Sequence, residues 1–399
     1  MRIPPWNWDL FCRVIDNYGD IGVCWRLARQ LAREHGIRVR LWVDRLESFA
    51  RLCPEITIDA SVQMVDSIEI HSWDAEFPEV AAADVVIEAF ACELPESYIA
   101  AMARRIVPPV WINLEYLSAE EWVTSCHLLP SPHPGSGLRK FFFFPGLTLG
   151  TGGLLRERDL LARRDAFSTE SDAFWIRMGI PVKSATAGDS TPLTVSDAEL
   201  RLSLFCYANP ALPDLLRYWS TGTVTVRVLA AAGAASDQIG QWLGKPFPEG
   251  AVVRQGNLIV HALPFLTQDD YDRLLWECDI NFVRGEDSFV RAQWAQRPFV
   301  WQIYPQEEDA HFVKLNAFLN RYLADFPCAE AVRRCWLAWN GVGDIGNGWR
   351  DYAAMRMSVE KHGKDWVSQL DRAGNLANNL VSFAELDHCG GATPGGCGS

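Results

Sequence analysis

The clearest hydrophobic pattern in the chain comes at its start. Residues 8–14, WDLFCRV, are mostly apolar and aromatic, as in a strand covered on both faces. From Ile21 the apolar positions fall at 21, 24, 25, 28, 31 and 32, the spacing of one helix face. Between strand and helix lies a tight turn, Asp16-Asn17-Tyr18-Gly19-Asp20-Ile21-Gly22. Gly19 permits a turn that a side chain would obstruct, and Gly22 permits close approach to the helix start. Asp20 is placed to cap that helix. Asp16 has no such structural role.

The same alternation continues. Strands are predicted at 37–43, within 62–70, and at 84–90, 110–114 and 140–144, with helices at 46–52, 96–105 and 119–125. A glycine-rich stretch, PGLTLGTGGL at 145–154, is too irregular for either element. It suits a flexible loop, or else a loop at an interdomain cleft. The pattern breaks from about 165 to 193, where a helix at 166–178 gives way to Pro181 and the polar run 183–191. A second series then begins, with strands at 200–207, 224–229, 258–263, 280–283 and 299–303. Helices are predicted at 210–219 and 268–278, with another carrying Val290, Trp294 and Ala295. From 308 to about 383 the pattern is helical.

Strands alternating with helices at this spacing imply right-handed βαβ units and mostly parallel sheets. The expected fold class is therefore α/β, with two Rossmann-like domains in succession. Expected boundaries are 1–164 for the first domain, 165–195 for a linker and 196–362 for the second domain. A C-terminal helix at 363–387 is expected to pack back on the first domain, followed by a disordered tail at 388–399.

Composition narrows the function. The 399 residues suffice for two full cores, and no apolar run approaches the ~18 residues of a membrane span. The opening MRIPPWNWDLF lacks the apolar core of a secretory signal, so a cytoplasmic location is expected. Eleven cysteines without C-x-x-C pairs suggest reduced thiols and neither a disulfide framework nor a zinc site. A net charge of −13 argues against nucleic-acid binding but suits a basic protein partner. Most of the seventeen tryptophans are expected in the core, Trp42, Trp111 and Trp301 among them.

In the second half, Arg284-Gly285-Glu286-Asp287-Ser288 mirrors the opening turn. Such a turn at a helix start offers backbone N–H groups to an anion. Asp287 or Ser288 can cap the helix, while Arg284 and Arg291 add positive charge for phosphate. Each turn read alone also fits a capped helix with solvated charges. Acidic turns at strand tips of both domains, expected to face a shared cleft, fit a ligand site better.

The segments DNYGDIGVCWRLARQL, PGLTLGTGGLLRE, LFCYAN and RGEDSFVRAQWAQRPFVWQIYPQ together resemble the bacterial protein-arginine rhamnosyltransferases of elongation factor P. The resemblance covers all but about the last dozen residues. It implies a GT-B fold with acceptor-binding first and nucleotide-sugar-binding second domains. It implies dTDP-β-L-rhamnose as donor, an arginine of elongation factor P as acceptor, and inversion to an α-linked product. By position, Asp16, Asp20 and Glu286 match the family's catalytic carboxylates. Phe205 and Tyr207 match an aromatic pair near the nucleotide, and Phe265, Gln268, Arg284, Asp287 and Ser288 match further donor contacts. Phe265 and Gln268 rest on the shorter stretch HALPFLTQDD, and a core aromatic and a helix-start glutamine remain the plainer alternative there.

No cofactor, metal, membrane or nucleic acid is expected to take part. The expected chemistry has Asp20 as base or orienting carboxylate with Asp16 assisting, and Arg284 with the helix start stabilising the departing diphosphate. Glu286 is expected to accept from sugar or ribose hydroxyls. Two other readings stand beside it. One is a GT-B transferase using another nucleotide sugar, or a lipid or small-molecule acceptor. The other is a non-catalytic nucleotide-sugar-binding module, which would have no need of a carboxylate pair.

Overall fold

The computed structural model describes residues 6–16, 18–73, 76–182, 199–306 and 310–390, without the side chains of 388–390. The chain divides into two compact units, Met1–Arg158 with Gln369–Ser399, and Asp159–Ser368.

In the first unit the strands are β1 (Asn7–Cys12), β2 (Arg38–Val43), β3 (Val62–Val65), β4 (Ile68–Ser72), β5 (Val85–Ala89), β6 (Val110–Leu114), β7 (Pro130–Pro132) and β8 (Arg139–Phe143). They form one sheet in the order β3-β4-β2-β1-β5-β6-β8-β7. Its central pairs are parallel, with Trp8 opposite Val39 on one side and Val85 on the other. Its helices are α1 (Gly19–His35), α2 (Leu46–Leu52), α3 (Glu96–Ala103) and α4 (Trp122–Cys126). Along β1, Trp8, Leu10 and Cys12 enter the core beneath α1, while Phe11 enters the opposite core with Trp42, Tyr98 and Trp111. Both faces of the strand are therefore buried, which is why it reads as continuously apolar.

The second unit opens with α5 (Leu160–Ala166) and α6 (Ser171–Arg177). Its sheet contains β9 (Leu200–Leu204), β10 (Val226–Ala230), β11 (Val252–Gln255), β12 (Leu258–Ala262), β13 (Ile280–Arg284) and β14 (Phe299–Gln302). The order is β11-β12-β10-β9-β13-β14, parallel apart from the β11–β12 hairpin. Helices α7 (Leu212–Thr221), α8 (Ala234–Leu243), α9 (Gln268–Glu277) and α10 (Asp287–Ala295) alternate with these strands. Four more follow, α11 (Ala310–Tyr322), α12 (Ala329–Trp339), α13 (Ile345–Ala354) and α14 (Arg356–Leu370).

Several boundaries differ from expectation. The first unit ends at Arg158, and residues 159–182 are built into the second. Phe167 meets Trp276 at 5.5 Å between ring centroids, and the Arg201 guanidinium lies 4.7 Å from the Trp175 ring. The polar run 183–191 lies outside the described residues. The chain rejoins the first unit at Gln369, not at 363, and the helix Leu376–Gly390 buries Leu376, Leu380 and Ala384 in that unit's core. That helix extends beyond 387, and the rest of the expected tail lies outside the described residues.

The glycine-rich stretch is packed, not a flexible loop. Residues 151–155 are buried. A Cβ on Gly152 would stand 2.4 Å from the Phe143 ring, and one on Gly153 would stand 2.3 Å from the Gly374 carbonyl oxygen. Leu376 N–H donates to the Leu154 carbonyl at 3.0 Å. Those glycines let the segment lie directly against the returning chain.

Candidate active site

Reversal of strand order marks where an open α/β sheet leaves a crevice at its carboxyl edge. In the first unit the reversal falls between β1 and β5, and in the second between β9 and β13. Both acidic turns sit at these points. The turn after β1 carries Asp16 and Asp20, and the turn after β13 carries Glu286 and Asp287.

Asp20 is not a helix cap, contrary to the expectation from its spacing. The capping position of α1 is Tyr18, with no side-chain cap hydrogen bond, and Asp20 lies inside the first turn. Its carboxylate bonds back to the turn after β1, where Oδ2 accepts the backbone N–H groups of Ile15 at 2.8 Å and Asp16 at 2.9 Å. Oδ1 accepts the Tyr116 hydroxyl at 3.0 Å. Asp20 is buried, whereas Asp16 is half-buried. Burial pushes the Asp20 carboxyl above its ordinary pKa and the Asp16 charge pushes the same way, against the three hydrogen bonds. A carboxylate raised in this manner is a better proton acceptor than one at the ordinary value.

The neighbouring turn after β5 is strained. Phe90, Ala91 and Glu93 all have positive φ, at 57°, 52° and 57°. Side chains of this kind cost about 1–2 kcal/mol each in that region, so surrounding contacts must hold them there. Phe90 N–H donates to the Leu114 carbonyl at 2.7 Å, and Ala91 N–H to Asn113 Oδ1 at 3.2 Å. Glu93 N–H donates to the buried Glu88 at 3.2 Å. Phe90 in turn stacks on Tyr116, with ring centroids 4.3 Å apart and planes 14° apart.

In the second unit, the strand ends converge on Arg284. Its guanidinium lies 4.4 Å from the Phe205 ring and 4.3 Å from the Tyr207 ring, both at the end of β9. Gly285 follows with φ 61°, and Trp301 Nε1–H donates to its carbonyl at 2.9 Å. Glu286 is the cap residue of α10 but makes no side-chain cap hydrogen bond. Ser288 does not cap either: its hydroxyl donates to the Arg284 carbonyl and accepts Arg284 N–H at 3.1 Å. Asp287 accepts from Gln268 Nε2 at 3.4 Å, so it too turns away from the cap. The turn thus sets one guanidinium, Arg284, beside a helix start that also carries the Glu286 and Asp287 carboxylates.

Behind this turn, Arg291 is not a phosphate ligand as its charge suggested. It is buried in a two-pronged pair with Asp272, at 2.9 and 2.6 Å, tying α10 to α9. Phe265 is half-buried in the segment between β12 and α9, and Gln268 is buried at the first position of α9. Tyr271, which sequence reasoning passed over, meets Phe205 edge-on at 5.7 Å, and burial raises its phenol pKa.

Of the ten predicted site residues, the structure thus gathers Asp16 and Asp20 in one turn, and Phe205, Tyr207, Arg284 and Ser288 around another, with Gln268 joined to Asp287. Tyr116, Phe90, Tyr271 and Trp301 were missed. The signal for Tyr116 was its place two residues beyond β6, at the carboxyl edge of a central strand. Among the described residues no helix is long and apolar enough to cross a membrane.

Comparison with known proteins shows the family and the fold. The protein-arginine rhamnosyltransferases of Pseudomonas putida KT2440 and Pseudomonas aeruginosa PAO1 are each 48% identical to the chain, covering 94% of it and 98% of their own length. That of Shewanella oneidensis MR-1 is 38% identical over 95% of the chain and 98% of its own. A solved structure described as the structural basis for EarP-mediated arginine glycosylation of translation elongation factor EF-P is 34% identical. It superposes with a TM-score of 0.65, covering 96% of this chain and 99% of that one. Two Rossmann-like units in one chain constitute the GT-B type of glycosyltransferase fold. The family described as Elongation-Factor P (EF-P) rhamnosyltransferase EarP matches residues 8–385, and the chain belongs to it.

Proposed function

We propose that this chain, a glycosyltransferase of the protein-arginine rhamnosyltransferase family, transfers L-rhamnose from dTDP-β-L-rhamnose to one arginine of elongation factor P with inversion. The observation that carries the reading is the pair of turns at the two sheet reversals, one built on carboxylates and one on a guanidinium.

Arginine is a reluctant nucleophile, being protonated and delocalised with a pKa above about 12. The Asp16–Asp20 turn supplies two carboxylates that pair with its N–H fork and hold one nitrogen in line with the sugar C1. As the N–C1 bond forms, Asp20 takes or draws off the nitrogen proton. The C1–O bond breaks with its electron pair leaving on the diphosphate, so a single displacement converts the β-linked donor into an α-linked product.

The second turn serves the donor. Arg284 and the start of α10 stabilise charge developing on the diphosphate, which leaves no part of the leaving-group work to a metal or cofactor. Phe205, Tyr207 and Phe265 supply faces for the thymine, and Gln268, Asp287 and Ser288 fix the polar groups around it. Glu286 accepts from sugar or ribose hydroxyls. The proposed place of action is the cytoplasm, where elongation factor P works.

Calorimetric titration with dTDP-β-L-rhamnose, followed by transfer assays with and without EDTA, tests this reading. Saturable donor binding and EDTA-resistant turnover are expected. No binding of this donor, with binding of another nucleotide sugar, would replace the donor assignment.

A further inference from the structure

Asp20 is held by groups from two directions, and the second comes from another strand. Its Oδ2 is fixed by backbone N–H groups of its own turn. Its Oδ1 is fixed by the hydroxyl of Tyr116, which stands beyond the end of β6, ninety-six residues away in sequence. The Tyr116 side chain is not core filling, since the residue is 39% exposed. Its ring has a rigid seat, stacked on Phe90, whose left-handed backbone is held by Leu114 of the strand leading into Tyr116.

We propose that Tyr116 is a positioning residue for the Asp20 carboxylate and that Phe90 is its mount. This rests on the reading of Asp20 as the carboxylate that receives the acceptor nitrogen. With one oxygen taking two backbone donors and the other taking a phenol, the carboxylate plane cannot rotate about its last bond. The one lone pair left, on Oδ1, then faces a fixed direction, which is what in-line attack by a guanidinium nitrogen demands. Holding Tyr116 in place accounts for the strain kept in Phe90, because relaxing that turn would carry the Tyr116 hydroxyl away from Asp20.

Charge follows geometry. Asp16 from its own turn and Tyr116 from the β6 end act on Asp20, and the charges of Asp20 and Asp44 both act on the Cys12 thiol at the end of β1. Of the two side chains that act on Asp20, Asp16 and Tyr116, only Tyr116 favours the ionised carboxylate, because a donated hydrogen bond stabilises charge. Removing its hydroxyl therefore moves the acid limb of the rate profile to higher pH.

The test compares wild-type protein with Tyr116→Phe and Phe90→Leu, using dTDP-β-L-rhamnose and elongation factor P. Tyr116→Phe keeps the stack and loses only the hydroxyl. It is expected to lower kcat roughly tenfold or more, with donor Kd unchanged and the acid limb displaced upward. Phe90→Leu keeps the hydroxyl on a looser seat, and a smaller fall in kcat in the same direction is expected. A Tyr116→Phe enzyme with wild-type kcat and acid limb would overturn the proposal. So would a fall in kcat that tracks lost thermal stability with the acid limb unmoved, the sign of a structural role alone. A wild-type protein that binds donor but modifies nothing would remove the reading of Asp20 first, and the role of Tyr116 with it.

Discussion

Asp20 Oδ2 accepts the backbone N–H of Asp16 at 2.9 Å, so the two acids belong to one hydrogen-bonded turn while their charges still oppose each other. The turn stays closed because the bond runs through backbone and leaves the Asp16 carboxylate to other work. Asp20→Asn keeps the two bonds to the turn, since an amide oxygen accepts the same N–H groups, while its NH2 meets the Tyr116 oxygen as a donor. Transfer is expected to fall about a thousandfold, within the range for losing a general base, with donor affinity nearly unchanged. Lost donor affinity with turnover retained at saturating donor would reject the role.

The same residue makes a stability prediction with a definite sign. Asp20 has its folded pKa raised above its ordinary value, chiefly by burial. Its contribution to stability is therefore fully present below the unfolded pKa and is lost as pH rises through the folded pKa. At neutral pH the buried charge is a burden, so Asp20→Asn is expected to raise Tm there, with the gain shrinking as pH falls through the raised folded pKa and gone below the usual carboxylate range. Melting curves across that window, for wild type and variant, check it.

The Arg284 guanidinium lies against two aromatic rings, Phe205 and Tyr207. Arg284→Ala is expected to weaken dTDP-β-L-rhamnose binding roughly tenfold to a hundredfold. Arg284→Lys should recover only part, because an ammonium lacks the planar fork that lies between Phe205 and Tyr207. Calorimetry on both variants distinguishes plain charge from guanidinium geometry.

Gly153 tests the claim that the glycine-rich stretch is structural. It has φ 73°, and an added methyl would stand 2.3 Å from the Gly374 carbonyl oxygen. Gly153→Ala is expected to cost about 2 kcal/mol or more, read by denaturant unfolding, since backbone rather than a pliable side chain must move. Donor affinity of the folded protein should be unchanged.

The fold was legible because its strands are buried on both faces and its first helix has a regular apolar stripe. Errors came where tertiary contact overrode local pattern. One strand was expected within 62–70, yet β3 and β4 form a hairpin that turns at Asp66 and Ser67 with φ 53° and 64°. Asp-Ser is not the Asn-Gly or Asp-Gly pair that announces such a turn. Helix α8 was missed because AASDQIGQWL has too few large apolar residues to show a period. In the site, the carboxylates and Arg284 were legible from turn chemistry and from resemblance. Cap geometry was not: Asp20 and Ser288 both look like caps in sequence and both bond backward instead, Asp20 to its own turn and Ser288 to the end of β13. Tyr116 was invisible because nothing local links it to Asp20, and only the sheet order brings β6 within reach of the β1 turn.

The central claim is that the carboxylate turn and the guanidinium turn serve one inverting rhamnosyl transfer. Its most direct test is to incubate the full chain with dTDP-β-L-rhamnose and elongation factor P, then weigh the factor, map the altered residue and determine the anomer by NMR. The account predicts one deoxyhexose on a single arginine nitrogen, in α-linkage. A factor left unmodified, or carrying a β-linked sugar, would contradict it.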